Sequence, residues 1–296
     1  MRRARAFLGH LGPPGWAGLA IVGLIALASI VGPVLSPYGV HEQDLAARNS
    51  GPSWAHPFGT ASLGEDVLTQ VLAAGRVSLV IGFATALVAT VVGGGLGLLS
   101  GWRGGWVDSA LGRLTDLFLI VPAFVVLIVL SLTFERVGVL EVIGILALLS
   151  WPALYRLSRA SALSTRESAH VEAARAAGAG AGRVVLRHLL PAATPEIASF
   201  AALAVGISIL AESALSFLSL GLDPDGDPSW GTLMIGAPDT IEARPWLTVF
   251  PGLAIVLTVL GAALLGDAVR AALDPRSGPG RPPPVEAPLP SRRPVR

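Results

Sequence analysis

Six apolar runs, each long enough to cross a bilayer, constrain this chain more than any other feature of its sequence. They cover Trp16–Leu35, Val77–Ser100, about Leu114–Thr133, about Val139–Leu154, about Ile197–Leu222 and Trp246–Gly266. A spanning helix takes about 20 apolar residues, and it bonds its own backbone where no water can. Charge is sparse to match: 14% of the 296 residues are charged, against roughly 25% in a soluble domain. The sequence predicts an all-α membrane protein with six transmembrane helices.

The arginines orient it. With the N-terminus in the cytoplasm, 17 of the 21 basic residues fall inside, and only Arg48, Arg76, Arg136 and Arg244 fall outside. Basic residues concentrate on the cytoplasmic side, so both termini are predicted to be cytoplasmic. The first run, with Arg2, Arg3 and Arg5 before it, also fits a signal peptide cleaved near Ala26-Leu27-Ala28. Signal cores are shorter, roughly 7–15 residues, which favours a retained anchor. The organisation read from this is a cytoplasmic N-terminus (1–15), a first helix (16–35), an extracytoplasmic loop (36–76), and a core of five helices (77–274). The core carries a cytoplasmic loop at 155–195. The tail, 275–296, holds eight prolines and five arginines. Such a composition buries no core, and the tail reads as disordered, either solvated or resting on lipid headgroups.

Absences narrow the function. There is no cysteine and no lysine. Disulfides, iron–sulfur clusters, thiolate zinc sites, Walker A loops and Schiff-base catalysis are therefore excluded. The five histidines are scattered, without the spacing of a metal-binding helix. No catalytic or metal-ligating residue is assigned, and the net charge of +1 gives no sign of a nucleic-acid partner. Gly93 and Gly97 form a small-xxx-small pair suited to close helix packing in lipid. Pro122 predicts a kink in the third span, and Arg113 is spaced to pair with Asp116.

The loop at 155–195 is more structured than a linker. Ser164-Thr165-Arg166-Glu167 has capping-box spacing, the following stretch is alanine-rich, and Gly178 offers a left-handed end. A second short helix is predicted at about Arg183–Leu190, ended by Pro191. The small alanine face suits either a groove on another protein or a generic interfacial role. The outer loops are acidic. Asp223–Asp227 has some likeness to a calcium loop, but its proline and the missing distal glutamate favour a solvated turn. Glu212 lies inside an apolar run, near Ser213 and Ser216. A charge at membrane depth faces protein or a water-filled cavity. Glu212 and Ser216 therefore read as pathway or gating residues, or as structural hydrogen bonds between helices.

Glu172-Ala173-Ala174, Gly178 and later Leu190-Pro191 closely resemble the EAA loop of permease subunits from bacterial ABC importers that work with a binding protein. Arg187-His188-Leu189-Leu190-Pro191 is similar to the dipeptide/oligopeptide (peptide/nickel) branch, whereas the broad family has an aliphatic residue at position 188. His56-Pro57-Phe58-Gly59-Thr60, Glu212-Ser213-Ala214-Leu215-Ser216-Phe217-Leu218, Ser229-Trp230-Gly231 and Leu273-Asp274-Pro275-Arg276 match in order along residues 56–276. Glu65, Ser219 and Ala263 stand where the family usually has Arg, Gly and Asn.

The resemblance implies the type I importer permease fold in a bacterial inner membrane. Glu172, Ala173, Ala174, Gly178, His188, Leu190 and Pro191 would couple to the ATPase. The implied partners are a cytoplasmic ABC ATPase, a second homologous permease chain, an extracytoplasmic binding protein and membrane lipid. This chain would bind no cofactor, and ATP with Mg would sit on the ATPase. It would not be an enzyme. The implied cargo is a dipeptide or oligopeptide. A nickel or other small-solute permease of the same branch stays open, as do an ion-coupled carrier using Glu212 and a structural scaffold.

Overall fold

The structure is a computed structural model. It describes residues 11–273 apart from 121, 123, 124, 127, 130–132, 134–136, 224, 225 and 227. Its elements are α1 (Gly12–Leu35), α2 (Val67–Ala89), a π turn (Thr90–Gly94), α3 (Gly95–Arg103), α4 (Gly105–Ile120), α5 (Val139–Arg166), α6 (Ala169–Ala176), α7 (Ala181–Val184), a second π turn (Val185–Leu189), α8 (Leu190–Phe217), α9 (Ala237–Thr240) and α10 (Trp246–Leu273). Among the described residues the only β feature is an isolated bridge between Thr60 and Asp66.

Among the described residues, five helical stretches are long and apolar enough to cross a membrane: Gly12–Leu35, Val67–Arg103, Val139–Arg166, Ala181–Phe217 and Trp246–Leu273. The third expected span begins within α4. Its continuation toward Thr133, the kink expected around Pro122, most of the Asp223–Asp227 stretch and the tail at 275–296 fall wholly or partly outside the described residues. Large apolar side chains such as Leu24, Leu87, Ile207 and Val256 stand exposed on the long helices. That outer surface suits lipid or another membrane chain, not water.

Glycines bring the helices together. On α2–α3, Gly93, Gly97 and Gly101 face α5. A Cβ at Gly101 would lie 2.7 Å from the Ala162 side chain, and one at Gly97 would collide with Ser158 Oγ and the Tyr155 carbonyl. Association in lipid relies on such close approach, because hydrophobicity does not drive helices together there. On α1, Gly18 approaches α10 closely enough that a Cβ would sit 2.6 Å from the Gly261 carbonyl. Arg76 of α2 donates to the Ser29 and Ile30 carbonyls of α1, at 2.9 and 2.7 Å.

Three local readings of the sequence are overturned. No helix starts at the Ser164–Glu167 box: α5 runs through it to Arg166, and the next helix begins at Ala169. Leu154, Ser158 and Ala162, spaced four apart and fully buried, carry α5 along the glycine ladder, and that packing outweighs the local cap. Pro191 does not end a helix. Leu190 N–H closes the last π-turn bond on the Val185 carbonyl, and Pro191, which has no N–H to give, opens the α-helical stretch that follows. Proline is tolerated in a first helical turn. Asp116 pairs not with Arg113 but with Arg156 of α5, at 2.7 Å.

The second span begins ten residues before its apolar run. Asp66 caps α2 by accepting Thr69 N–H at 2.8 Å and Thr69 Oγ1 at 2.7 Å. Asp66 also bonds His56 Nδ1 at 3.0 Å, and Phe58 stacks on Phe250 at 3.8 Å. The segment before α2 is therefore folded over the N-terminal ends of α2 and α10.

Helix α8 ends in a Schellman motif. Ser219 N–H donates to the Ser216 carbonyl and Leu220 N–H to the Leu215 carbonyl, with Ser219 at φ 60°. Left-handed backbone costs a residue with a Cβ about 1–2 kcal/mol, and glycine nothing comparable. Ser219→Gly is therefore expected to raise stability by about 1 kcal/mol, seen as a higher melting temperature in detergent. An unchanged or lower melting temperature would contradict the strain at this position.

Candidate functional site

The alanine-rich segment forms a short helix packed at the C-terminal ends of α3 and α5. Only Val171 of α6 is buried. It joins Val184, Leu189, Leu98, Leu154 and Ala162 in one apolar cluster. Arg175 lies over the Trp102 ring at 5.7 Å, a cation–π contact between α6 and the end of α3. Arg166 Nη1 donates to the Gly101 and Trp102 carbonyls, each at 3.2 Å. These contacts fix one side of α6 and leave the other open.

Glu172, Ala173 and Gly178 are exposed on that open side, and Ala174 is half-buried. Gly178 has φ 82° and supplies the left-handed end of the helix. Its N–H donates to the Arg175 carbonyl, and Ala179 N–H to the Ala174 carbonyl, which is a second Schellman motif. His188, in the second π turn, faces His170 of α6 with ring centroids 5.7 Å apart. Leu190 and Pro191 follow in the same long helix, both exposed. The predicted coupling residues thus share one region.

Glu212 and Ser216 are elsewhere. Glu212 lies 22 residues beyond Leu190 on α8, which is about 33 Å along a helix. It is fully buried. Its Oε1 accepts Ser229 Oγ at 2.6 Å and Ser216 Oγ at 2.8 Å, and its Oε2 accepts Ser213 Oγ at 3.3 Å. Reading the sequence missed the role of Ser229 and Trp230. Trp230 is 1% exposed. Its N–H donates to Ser78 Oγ at 3.0 Å and its indole Nε1 to the Val71 carbonyl at 2.9 Å. The available signal was a Ser-Trp-Gly triplet in an otherwise acidic loop.

A polar clamp was also missed. Asp108, in the first turn of α4, receives Arg159 of α5 through Nε at 2.5 Å and Nη2 at 2.6 Å. Ser100 Oγ also reaches Asp108, and bonds Tyr155 Oη at 2.8 Å. The Arg159 hydrogen bond, more than offsetting burial, holds the Asp108 carboxyl down at about 2. A depressed carboxyl contributes stability above its unfolded value, and that contribution fades as pH falls toward the folded value. The loss of melting temperature in Asp108→Asn is therefore expected to be constant from about pH 5 to 8 and to shrink below about pH 4. A loss that instead varied across neutral pH would point to another group.

The described residues form an all-helical chain with several membrane-length helices, an apolar exterior and one short exposed helix between α5 and α8. Residues 93–278 match the family described as binding-protein-dependent transport system inner membrane component. Residues 13–52 match the N-terminal TM domain of oligopeptide transport permease C. The chain belongs to this family, and it is the permease component of an ABC importer in the inner membrane.

A Brucella suis biovar 1 protein, named provisionally as a peptide permease, is 39% identical, with 87% of each chain covered. The glutathione transport system permease protein GsiD of Pectobacterium atrosepticum is 37% identical, covering 88% of this chain and 86% of that one. The oligopeptide transport system permease protein OppC of Mycobacterium tuberculosis is 36% identical, covering 88% and 90%. A solved chain of the MetNI methionine ABC transporter in an inward-facing conformation shares the fold. Its TM-score is 0.58 at 18% identity, over 69% of this chain and 96% of that one.

Proposed function

We propose that this chain passes dipeptides or oligopeptides across the inner membrane as one half of a heterodimeric permease. The relatives above support the cargo, since glutathione and oligopeptides are both peptides. The exposed helix α6, seated on buried Val171 and closed by Gly178, is the observation that carries the coupling role. In this reading a cytoplasmic ATPase, holding ATP and Mg, grips Glu172, Ala173, Ala174 and Gly178. His188, Leu190 and Pro191 set the root of the following helix. An extracytoplasmic binding protein delivers the peptide to the opposite side.

The full topology belongs to the same proposal: six spans with both termini in the cytoplasm, the third built on α4. Closing the ATPase would push α6 and tilt the long helices between inward-open and outward-open states, a bistable bundle biased by partner contacts. Half of the path then belongs to the second permease, which fits the few polar groups along these spans.

Mild-detergent extraction from the native membrane, followed by identification of co-purifying chains, tests the partners. An ATPase and a second permease are expected. Reconstitution of that complex with its binding protein should give ATP-dependent uptake of labelled peptide. Recovery of this chain alone, under extraction that keeps a known membrane complex whole, would overturn the assembly. Uptake of nickel but not peptide would overturn the cargo.

A further inference from the structure

A carboxylate on a transport path needs an open side, and Glu212 has none. All three of its partners are serine hydroxyls. Two stand on its own helix, but Ser229 belongs to the outer segment between α8 and α10. Ser229 Oγ also accepts Thr232 N–H at 3.1 Å, so one hydroxyl ties Glu212 to the turn at Thr232–Met234. The neighbouring Trp230 is bonded to α2 through Ser78 and Val71. Gly231 lies so close to α8 that a Cβ would sit 2.6 Å from Ser213 Cα. The outer segment therefore dips back into the bundle and is held between α2 and α8. Helix α8 in turn is continuous with α7, 37 residues from Ala181 to Phe217, so its inner end is the root of the coupling loop.

We propose that Glu212 is a positioning residue that clamps the outer segment at Ser229–Met234 to the far end of the long helix. Displacement at the coupling loop is thereby delivered to the face that meets the binding protein. The inference rests on the importer reading above. Breaking the clamp takes from the buried carboxylate its shortest hydrogen bond and leaves the buried Ser229 hydroxyl hydrogen without an acceptor, which is costly, so the joint is stiff. It requires a hydrogen-bond acceptor at position 212 and not a charge.

The test uses the whole reconstituted complex with loaded binding protein, and compares Glu212→Gln, Glu212→Leu and Ser229→Ala. Glutamine keeps an acceptor oxygen. Glu212→Gln should retain binding-protein-stimulated ATP hydrolysis within about twofold, and the other two should lose about tenfold, the scale of a typical coupling energy. The chain has no cysteine, so one cysteine placed at Leu233 reports the seating directly. A membrane-impermeant maleimide should label it slowly in the parent and Glu212→Gln, and faster in Glu212→Leu and Ser229→Ala. Loss of stimulation in Glu212→Gln with unchanged labelling would show that the carboxylate itself acts, and would overturn the clamp. So would parent-like labelling and stimulation in Glu212→Leu. If no binding protein stimulates the parent, the importer reading fails, and the labelling still decides the clamp.

Discussion

Gly178→Val is expected to leave the protein inserted in the membrane and to abolish coupled transport. Nothing lies within 4 Å of a Cβ built at Gly178, so the substitution meets no steric clash. Its cost is backbone alone. At φ 82°, a residue with a Cβ is strained by about 1–2 kcal/mol, and valine, being β-branched, tolerates that conformation least. The helix it closes has 8 residues, below the roughly 12–15 that an isolated helix needs. It therefore depends on its end turn and on Val171. Losing the turn re-aims Glu172 and the alanine edge without disturbing the spans. Gly178→Asn should retain much of the activity, because asparagine adopts left-handed backbone more readily. ATP-dependent peptide uptake in vesicles, normalised to membrane-inserted protein, is the measurement. Normal uptake by the valine variant would remove Gly178 from the coupling mechanism.

Gly97→Leu should act differently and more broadly, removing folded protein from the membrane. A Cβ there meets Ser158 Oγ, the Tyr155 carbonyl, and the Arg159 backbone nitrogen at 2.9 Å. Two of these are backbone atoms of α5, which cannot turn aside as a flexible side chain can. The helices must separate, opening the contact that runs from Gly93 to Gly101. Overpacking a well-filled site costs typically 1–3 kcal/mol and sometimes more, and here the whole leucine must be accommodated. The yield of detergent-stable protein is expected to fall by about tenfold, the equivalent of 1.4 kcal/mol. Gly95→Leu is the control. It stands two residues away on the same helix with nothing within 4 Å of its Cβ, and it should retain the parent's stability. Equal behaviour of the two variants would show that the ladder does not hold α3 on α5.

What the sequence disclosed depended on whether the signal was local. The apolar runs needed only composition along a window, and the helix end at Gly178 needed only a glycine after an alanine-rich stretch. The boundaries that failed, at Ser164–Glu167 and Pro191, were local cues outvoted by contacts with distant residues. The capping box lost to a buried stripe on α5 facing glycines about 60 residues earlier. Pro191 was absorbed by a widened turn that no pattern announces. The start of α2 at Val67 was hidden because Thr69, Gln70 and Arg76 interrupt its first turns, whose buried side rests against Trp230 and the segment before α2.

The candidate site divides the same way. The proposed coupling residues lie within 20 positions of one another, from Glu172 to Pro191, and could be read as one loop. Glu212 could be flagged, because a charge in an apolar run stands out, but its partner Ser229 is 17 positions away. Asp108 and Arg159 are 51 apart, and nothing in their neighbourhoods pairs them. The family resemblance located Ser229-Trp230-Gly231 without saying what it touches. The glycine that the family usually carries at position 219 becomes intelligible only with the backbone angle in hand.

Each of the two 37-residue helices contains one five-residue π turn, at Thr90–Gly94 and at Val185–Leu189. A helix is a screw, and one residue more in a turn advances its phase by about 100°. The π turn takes up that surplus, so the sequence stripes on either side of it are written in different phases. Along Ala181–Phe217, the side that packs on Val171 of α6 and the side that bonds Ser229 are thus set independently by one local dislocation. Deleting one residue from the turn would restore an ordinary helical turn and leave the two ends in phase, whereas a deletion elsewhere in the helix would rotate them against each other by about 100°. The turn is a local angular allowance between the two ends of one continuous helix.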